Sequence, residues 1–400
     1  MRPQILLLGL AALGRTFAQP TQHPLIAHPD NLQAEGTANE YHDDPLLWLH
    51  RKLIEIESIS GDEYSIGTWL ASFLRSKNFT VERQEVEPRR FNVFAYMGDE
   101  DNSKTLVTSH IDTVPPYLPY ELRSNHTEIW GRGSVDAKAC VAAQITAVLK
   151  LLRHCSSDDE VPSDSISMLF VVGEETAGDG MRHFSTQKTR EYKAVVFGEP
   201  TEGKLAAGHK GILGMTIKVK GRAAHSGYPW LGVSANDVLV RATGELMKLR
   251  GRLPQSEKYG ETTLNVGRID GGVAANVVAE QAEAMFAVRI AAETPAVIKS
   301  MILEALNETA TEAEEAGGEF AVEFSGNAYA PVDIDHDIPG FDIITVNYGT
   351  DVPNLTGNHK RYLYGPGSIL VAHSDHEHLA VEELERAVDD YQRIILATLD

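Results

Sequence analysis

The chain has 400 residues, of which 42% are hydrophobic, and carries a formal net charge of −21. That length exceeds one ordinary domain, so two domains are expected, each large enough for its own core. The negative balance argues against nucleic acid or an anionic membrane as partner and suits a soluble chain, some of whose carboxylates metal ions would neutralise.

Residues 1–18 read as a signal peptide. Arg2 gives a short positive start, Ile5 to Leu13 form an apolar stretch too short for a bilayer, and Thr16-Phe17-Ala18 resembles a cleavage site. A buried first helix is the alternative. The protein is therefore expected to be secreted. Residues 19–43 are polar, contain proline and read as a leader segment. No other stretch approaches ~18 uninterrupted apolar residues, so no membrane span is expected. Secretion makes the N-x-Ser/Thr triplets at Asn78, Asn125, Asn307 and Asn354 candidate glycosylation sites, some rather than all of them used.

From Asp44 the chain alternates helical and extended patterns. LLWLHRKLIEI and SIGTWLASFLRSK have helical spacing, whereas TVERQEVE, FNVFAYMG and TLVTSH read as strands. Val141, Ile145, Val148, Leu149 and Leu152 then repeat at helical spacing, with Lys150, Arg153 and His154 where a helix C-terminus favours cations. On one continuous helix the two cysteines, Cys140 and Cys155, would stand roughly 22 Å apart. A disulfide needs Cα atoms within about 7 Å, so both thiols are expected free.

SISMLFVV and AVVFG continue the α/β alternation. Near Lys204 the pattern changes: KGILGMTIKVKGRAAHS, TTLNVGRIDGG and VVAEQAEAMFAVRIA read as strands, with helices at SANDVLVRATGELMKLRGRL and TPAVIKSMILEALNETATEAEEA. This fits an inserted α+β module with a ferredoxin-like arrangement. The expected fold is thus α/β: a discontinuous catalytic domain of residues 44–204 and 318–400 with a mixed sheet flanked by helices, and a lid or dimerisation domain at 205–317.

Metal-capable side chains recur where apolar runs stop: His110 and Asp112 after TLVTS, Glu174 and Glu175 after FVVG, Glu199 after AVVFG, His373 after SILVA, with Asp136 in a Gly-rich turn before a helix. In open α/β sheets, ligands collect beyond the carboxyl ends of strands. His110 and Asp112 face one side of an extended chain, so Asp112 can fix the imidazole tautomer; a solvated histidine beside an unrelated acid is the plainer alternative. Asp136 could equally be an ordinary helix N-cap. Two adjacent acids ending MLFVV are costly to bury unless paired or metal-bound, which suits Glu175 as ligand and Glu174 as general base, although a solvated acidic turn would also read this way. His376 and His378 make a surface histidine cluster the alternative for His373.

The order SHIDTVPP, GRGSVDAKA, GEE, GEPT and GPGSILVAHSDHE resembles metallopeptidase family 20, over essentially residues 45–400. That group includes acetylornithine deacetylases, succinyl-diaminopimelate desuccinylases, aminoacylases and glutamate carboxypeptidases. The resemblance implies two divalent metal ions, most plausibly zinc, with His110 and Glu199 on one, Glu175 and His373 on the other, and Asp136 bridging. It implies Glu174 as base, Asp112 behind His110, and a cis peptide after Asp136. In the inserted domain it implies His225 as an oxyanion contact, often contributed across a homodimer, Asn276 as a polar substrate contact and Arg289 as holder of a substrate carboxylate. One departure is Ala279, where a proline often stands. The implied activity is hydrolysis of an amide next to a free carboxylate by a secreted carboxypeptidase, with an N-acyl-amino-acid deacylase as the neighbouring reading. A non-catalytic binding relative would be expected to have lost a ligand or the base, and none is missing.

Overall fold

The structure is a computed structural model and describes residues 44–153, 161–187 and 191–399, without the side chain of Asn125. The signal peptide and leader, His154 and Cys155 lie outside these residues. Seven helices are used as landmarks: α1 (Pro45–Glu55), α2 (Tyr64–Ser76), α3 (Lys138–Arg153), α4 (Asp179–Gln187), α5 (Ala235–Leu249), α6 (Pro295–Glu315) and α7 (Val381–Leu399). Several starts are written locally. Asp44 caps α1 by accepting from the Leu46 and Leu47 amides at 2.9 and 3.2 Å, with Pro45 at the first helical position. Thr294 and Pro295 repeat that device at α6, and Ser234 caps α5.

Six strands form the main sheet in the spatial order Thr80–Glu87, Arg90–Tyr96, Ile166–Val171, Thr105–His110, Ala194–Gly198 and Lys360–Tyr364. The first two make an antiparallel hairpin, and the last four run parallel. Parallel strands buried on both faces read as continuous apolar runs, and alternate side chains serve different cores. Val107, Met168, Phe170 and Val196 pack into the core shared with α1, α2, α3 and α7. Leu106, Leu169, Val171, Val195 and Phe197 join Met181 and Phe184 of α4 on the other face. Because the four strands point the same way, their carboxyl ends share one rim.

A second, four-stranded antiparallel sheet has the order Thr263–Gly271, Gln281–Ile290, Gly211–Lys220 and Glu319–Phe324. In Gly211–Lys220 every second residue is buried, and Leu213, Met215, Ile217 and Val219 pack with α5 and α6 into a separate core. The opposite face of this sheet lies open. The fold is thus an α/β sheet flanked by helices combined with an antiparallel α+β module. Among the described residues no helix is long and apolar enough to cross a membrane.

The apolar run SILVA before His373 is not a strand. The last parallel strand ends at Tyr364, Gly365-Pro366-Gly367 breaks the chain, and residues 369–373 fold as turns in which Leu370 is 82% exposed. Proline supplies no ladder donor, and Gly367 takes a positive φ of 72°, so the strand cannot run on to the histidine.

Candidate metal centre

Sheet order assembles the site. The Thr105–His110 strand lies between Ile166–Val171 and Ala194–Gly198, so three adjacent carboxyl ends deliver His110, then Glu174 and Glu175, then Glu199. Asp136 enters from the turn ahead of α3, where the Asp136–Ala137 peptide is cis as the family resemblance implies. His373 comes from the turn segment described above, with a positive φ of 61°.

The two Asp136 oxygens face the two histidines. Its Oδ1 is 3.0 Å from His110 Nε2, and its Oδ2 is 3.2 Å from His373 Nε2. Glu199 lies 3.8 Å from His110 Nε2, and Glu175 lies 3.0 Å from His373 Nε2. Donor atoms of His110, Asp136 and Glu175 lie within 4.8 Å of one another, as do those of His110, Glu174 and Glu199. Glu174 therefore stands as near His110 as a ligand would.

Asp112 is fully buried and does more than attend His110. The His110 Nδ1 contact at 2.9 Å is to the Asp112 main-chain carbonyl, with the carboxylate oxygen at 3.6 Å. The tautomer-fixing partner is thus the backbone oxygen rather than the side chain. The Asp112 carboxylate instead accepts from the Glu174 and Glu175 amides at 3.1 and 3.2 Å and from the Ser60 hydroxyl at 2.7 Å. It pins the turn that carries both glutamates.

Charges in the cluster are strongly coupled. Burial first, then the neighbouring Glu199, pushes the Glu174 carboxyl well above its ordinary range. Burial and Asp136 raise Glu175 in the same direction. Burial opposes ionisation of Asp136, yet hydrogen bonds from His110 and His373 hold it well below the usual carboxylate range. His373, bonded to Asp136 and Glu175, is pushed up to about 10. Glu175 Oε1 is buried and lacks a hydrogen-bond partner. Such an oxygen is costly unless a cation meets it. Two imidazoles with three or four converging carboxylates are a donor set that fits divalent ions, zinc included.

The acids form one wall of a cleft lined also by Arg182, Arg289, Asn327, Tyr329, Tyr348 and Asn354. Arg289 extends from the lid sheet, and no carboxylate among the described residues lies within ion-pair distance of it. An internal salt bridge, its plainest alternative role, is absent there. His225 and Asn276 are elsewhere. They sit together on exposed lid loops, where the Ser226 amide donates to the Asn276 carbonyl at 3.0 Å, and neither lines the cleft. A wider hollow covers the open lid face, but its charges pair among themselves, as in Lys220–Glu319 and Arg268–Asp270.

Several further groups shape the site without a signal in the sequence. Arg182 of α4 donates to the side-chain oxygens of Asn354, at 3.1 Å, and Asn327, linking that helix to two segments around the cleft. Asp351 is buried beneath His110 and Glu199 and accepts from the Asn354 amide at 2.8 Å. No local pattern marks these residues, because Arg182 meets Asn327 and Asn354 across remote segments and Asp351 reaches the site only through the fold. The sequon residue Asn354 is thereby half-buried with its amide engaged, whereas Asn78 and Asn307 are exposed. Cys140 is buried and free.

Residues 207–314 match the family described as peptidase dimerisation domain, and residues 92–199 match peptidase family M28. The second match spans the strands bearing His110 through Glu199 and stops before the lid. A probable carboxypeptidase of Aspergillus niger is 48% identical over 92% of this chain and 93% of its own. A probable carboxypeptidase of Aspergillus fumigatus is 46% identical over 100% and 99%. Among solved structures, a tripeptidase from Staphylococcus aureus superposes with a TM-score of 0.72 at 21% identity, covering 89% of this chain and 98% of that one. An M20 family metallo-carboxypeptidase from Sulfolobus solfataricus gives 0.66 at 14% identity, covering 89% and 99%. The likeness to solved structures carries the fold; the likeness in sequence carries the family.

Proposed function

The chain belongs to metallopeptidase family 20, and from that premise we propose a secreted carboxypeptidase that hydrolyses the amide next to a free substrate carboxylate. The single observation carrying the carboxylate requirement is Arg289, a guanidinium that lines the same cleft as the acids and has no carboxylate at ion-pair distance among the described residues. Arginine's planar fork matches a carboxylate bidentately. Two ions per chain, zinc by donor type, would be held by His110 with Glu199 and by Glu175 with His373, with Asp136 available to both. When bound, such ions polarise the scissile carbonyl and make water a nucleophile near neutral pH.

The remaining steps fall to side chains. Arg289 holds the substrate carboxylate and so presents the adjoining amide to the acid wall. Glu174 takes a proton from the attacking water at its carboxylate and returns it to the leaving amine, standing within reach of the His110 and Glu199 donors. Asp112 fixes the main chain beneath Glu174, holding the base in place. Secretion rests on the pattern of residues 1–18.

A hydrolysis panel tests this reading: C-terminally free peptides, the same peptides amidated, and N-acyl amino acids, with zinc-supplied protein. Free peptides are expected to be cut and amidated ones to lose most of their kcat/KM. Equal cleavage of amidated and free peptides refutes the clamp. Exclusive cleavage of N-acyl amino acids replaces the carboxypeptidase with a deacylase.

A further inference from the structure

We infer that Glu377, with Arg132, is a positioning residue that sets Asp136 and His373 against each other and so determines how tightly the second metal ion is held. The inference rests on the two-ion reading above. Glu377 stands four positions after His373 and is 1% exposed. Its Oε1 accepts from the main-chain amides of Gly133 at 2.9 Å, Val135 at 3.1 Å and Asp136 itself at 3.3 Å. Its Oε2 pairs at 2.6 Å with Arg132 Nη1, and Arg132 is 2% exposed. The Gly131 amide also donates to the Glu377 carbonyl at 3.3 Å.

Amides that converge on one carboxylate require an unusual backbone. Gly131 and Gly133 supply it with φ of 142° and 85°, and a Cβ on Gly133 would stand 2.8 Å from Lys138 Cδ. The segment ending in Asp136 is thus wrapped around a side chain from the segment that carries His373. The residues beyond Glu377 continue the seam: His378 pairs with Trp130 in an antiparallel bridge, and their rings stack at 4.5 Å. His110 needs no such help, being buried at the end of a central strand. His373 is half-exposed on turns, and its side-chain contacts there are Asp136 and Glu175. Disturbing Glu377 therefore touches two of the three groups assigned to the second ion, Asp136 and His373, but only Asp136 of those assigned to the first.

A buried ion pair is by itself weak evidence for stability, and a pair that only packs would lower Tm while leaving metal binding in the folded protein unchanged. Groups that orient metal ligands typically change affinity 10–100-fold when altered. Glu377→Gln keeps the shape but turns an amide group toward Arg132; Arg132→Lys keeps the charges balanced and is the second variant should the first not fold. Zinc titrations of wild type and both variants, read by chelator competition and ions per chain, decide the matter. Wild type is expected to hold two ions. Glu377→Gln should hold the second ion roughly 10–100-fold more weakly and the first with a clearly smaller loss, and Arg132→Lys should shift the second ion by a smaller factor. Two ions at wild-type affinity in both variants, whatever their Tm, overturns the assignment. Fewer than two ions in wild type overturns the two-ion reading and this inference with it, and that failure shows in the wild-type arm alone.

Discussion

Glu174 and Glu175 are neighbours in sequence with opposite expected roles, and substitution separates them. Glu174→Gln preserves size and the backbone bonds to Asp112, so ion content should stay at the wild-type level. Loss of a positioned proton acceptor typically costs about 10²–10⁴-fold, so kcat should fall by that order. Since the Glu174 carboxyl lies within 4.8 Å of the His110 and Glu199 donors, loss of an ion in this variant would make it a ligand instead. Asp136→Ala is expected to behave differently. The two Asp136 oxygens face His110 and His373 separately, so removing them should abolish activity together with tight binding of both ions. Metal analysis that finds two ions retained in this variant would sink the bridging assignment.

The secondary-structure elements were legible in the sequence where chemistry is local. Apolar runs that stop at an acid or histidine marked three adjacent strand ends, and helical spacing marked α3, α5 and α6. SILVA misled because four apolar residues in a row, Ile369 to Ala372, look alike whether buried or turned outward, and the break lies upstream in Gly-Pro-Gly. The roles of Asp112 and Glu377 could not be read, because their amide partners are placed by sheet order and by a turn from the far end of the chain. Helix α1 carries a prediction of its own. His50 is fully buried among its apolar residues, and burial pushes its pKa down to about 3, against a main-chain interaction with Ser134 and with help from the Lys138 ammonium. Between that value and the unfolded value of 6.5 the unfolded chain binds the extra proton, so stability is full above 6.5 and erodes as pH falls. At pH 5 the erosion from this group alone is about 2 kcal/mol. Denaturant titrations at pH 7 and pH 5 should therefore show a smaller loss in His50→Phe than in wild type. Equal losses would mean that His50 is not buried in its neutral form.

On the scale of the whole molecule, one chain does not supply everything that the family resemblance implies. His225 and Asn276 lie together on exposed lid loops, away from the cleft holding Glu174 and Arg289. The lid offers a way to complete the site: Thr263–Gly271 is an edge strand, with Ile269 59% exposed and Val273 86% exposed just beyond it, and α5 leaves Val240 68% exposed. An open edge beside apolar side chains invites a second copy, and the lid matches a peptidase dimerisation domain. We therefore expect a homodimer in which His225 of one chain serves the cleft of the other. Each variant alone should be nearly inactive: Glu174→Gln lacks the base, and His225→Ala should lower kcat far more than it raises KM, because an oxyanion contact strengthens in the transition state. Mixed and allowed to exchange subunits, the two variants should pair at random. Half the dimers would then be mixed, each with one site built from an intact Glu174 and an intact His225, returning roughly a quarter of wild-type sites. No recovery after demonstrated exchange would confine catalysis to one chain, and a monomer with full activity would exclude the cross-subunit histidine altogether.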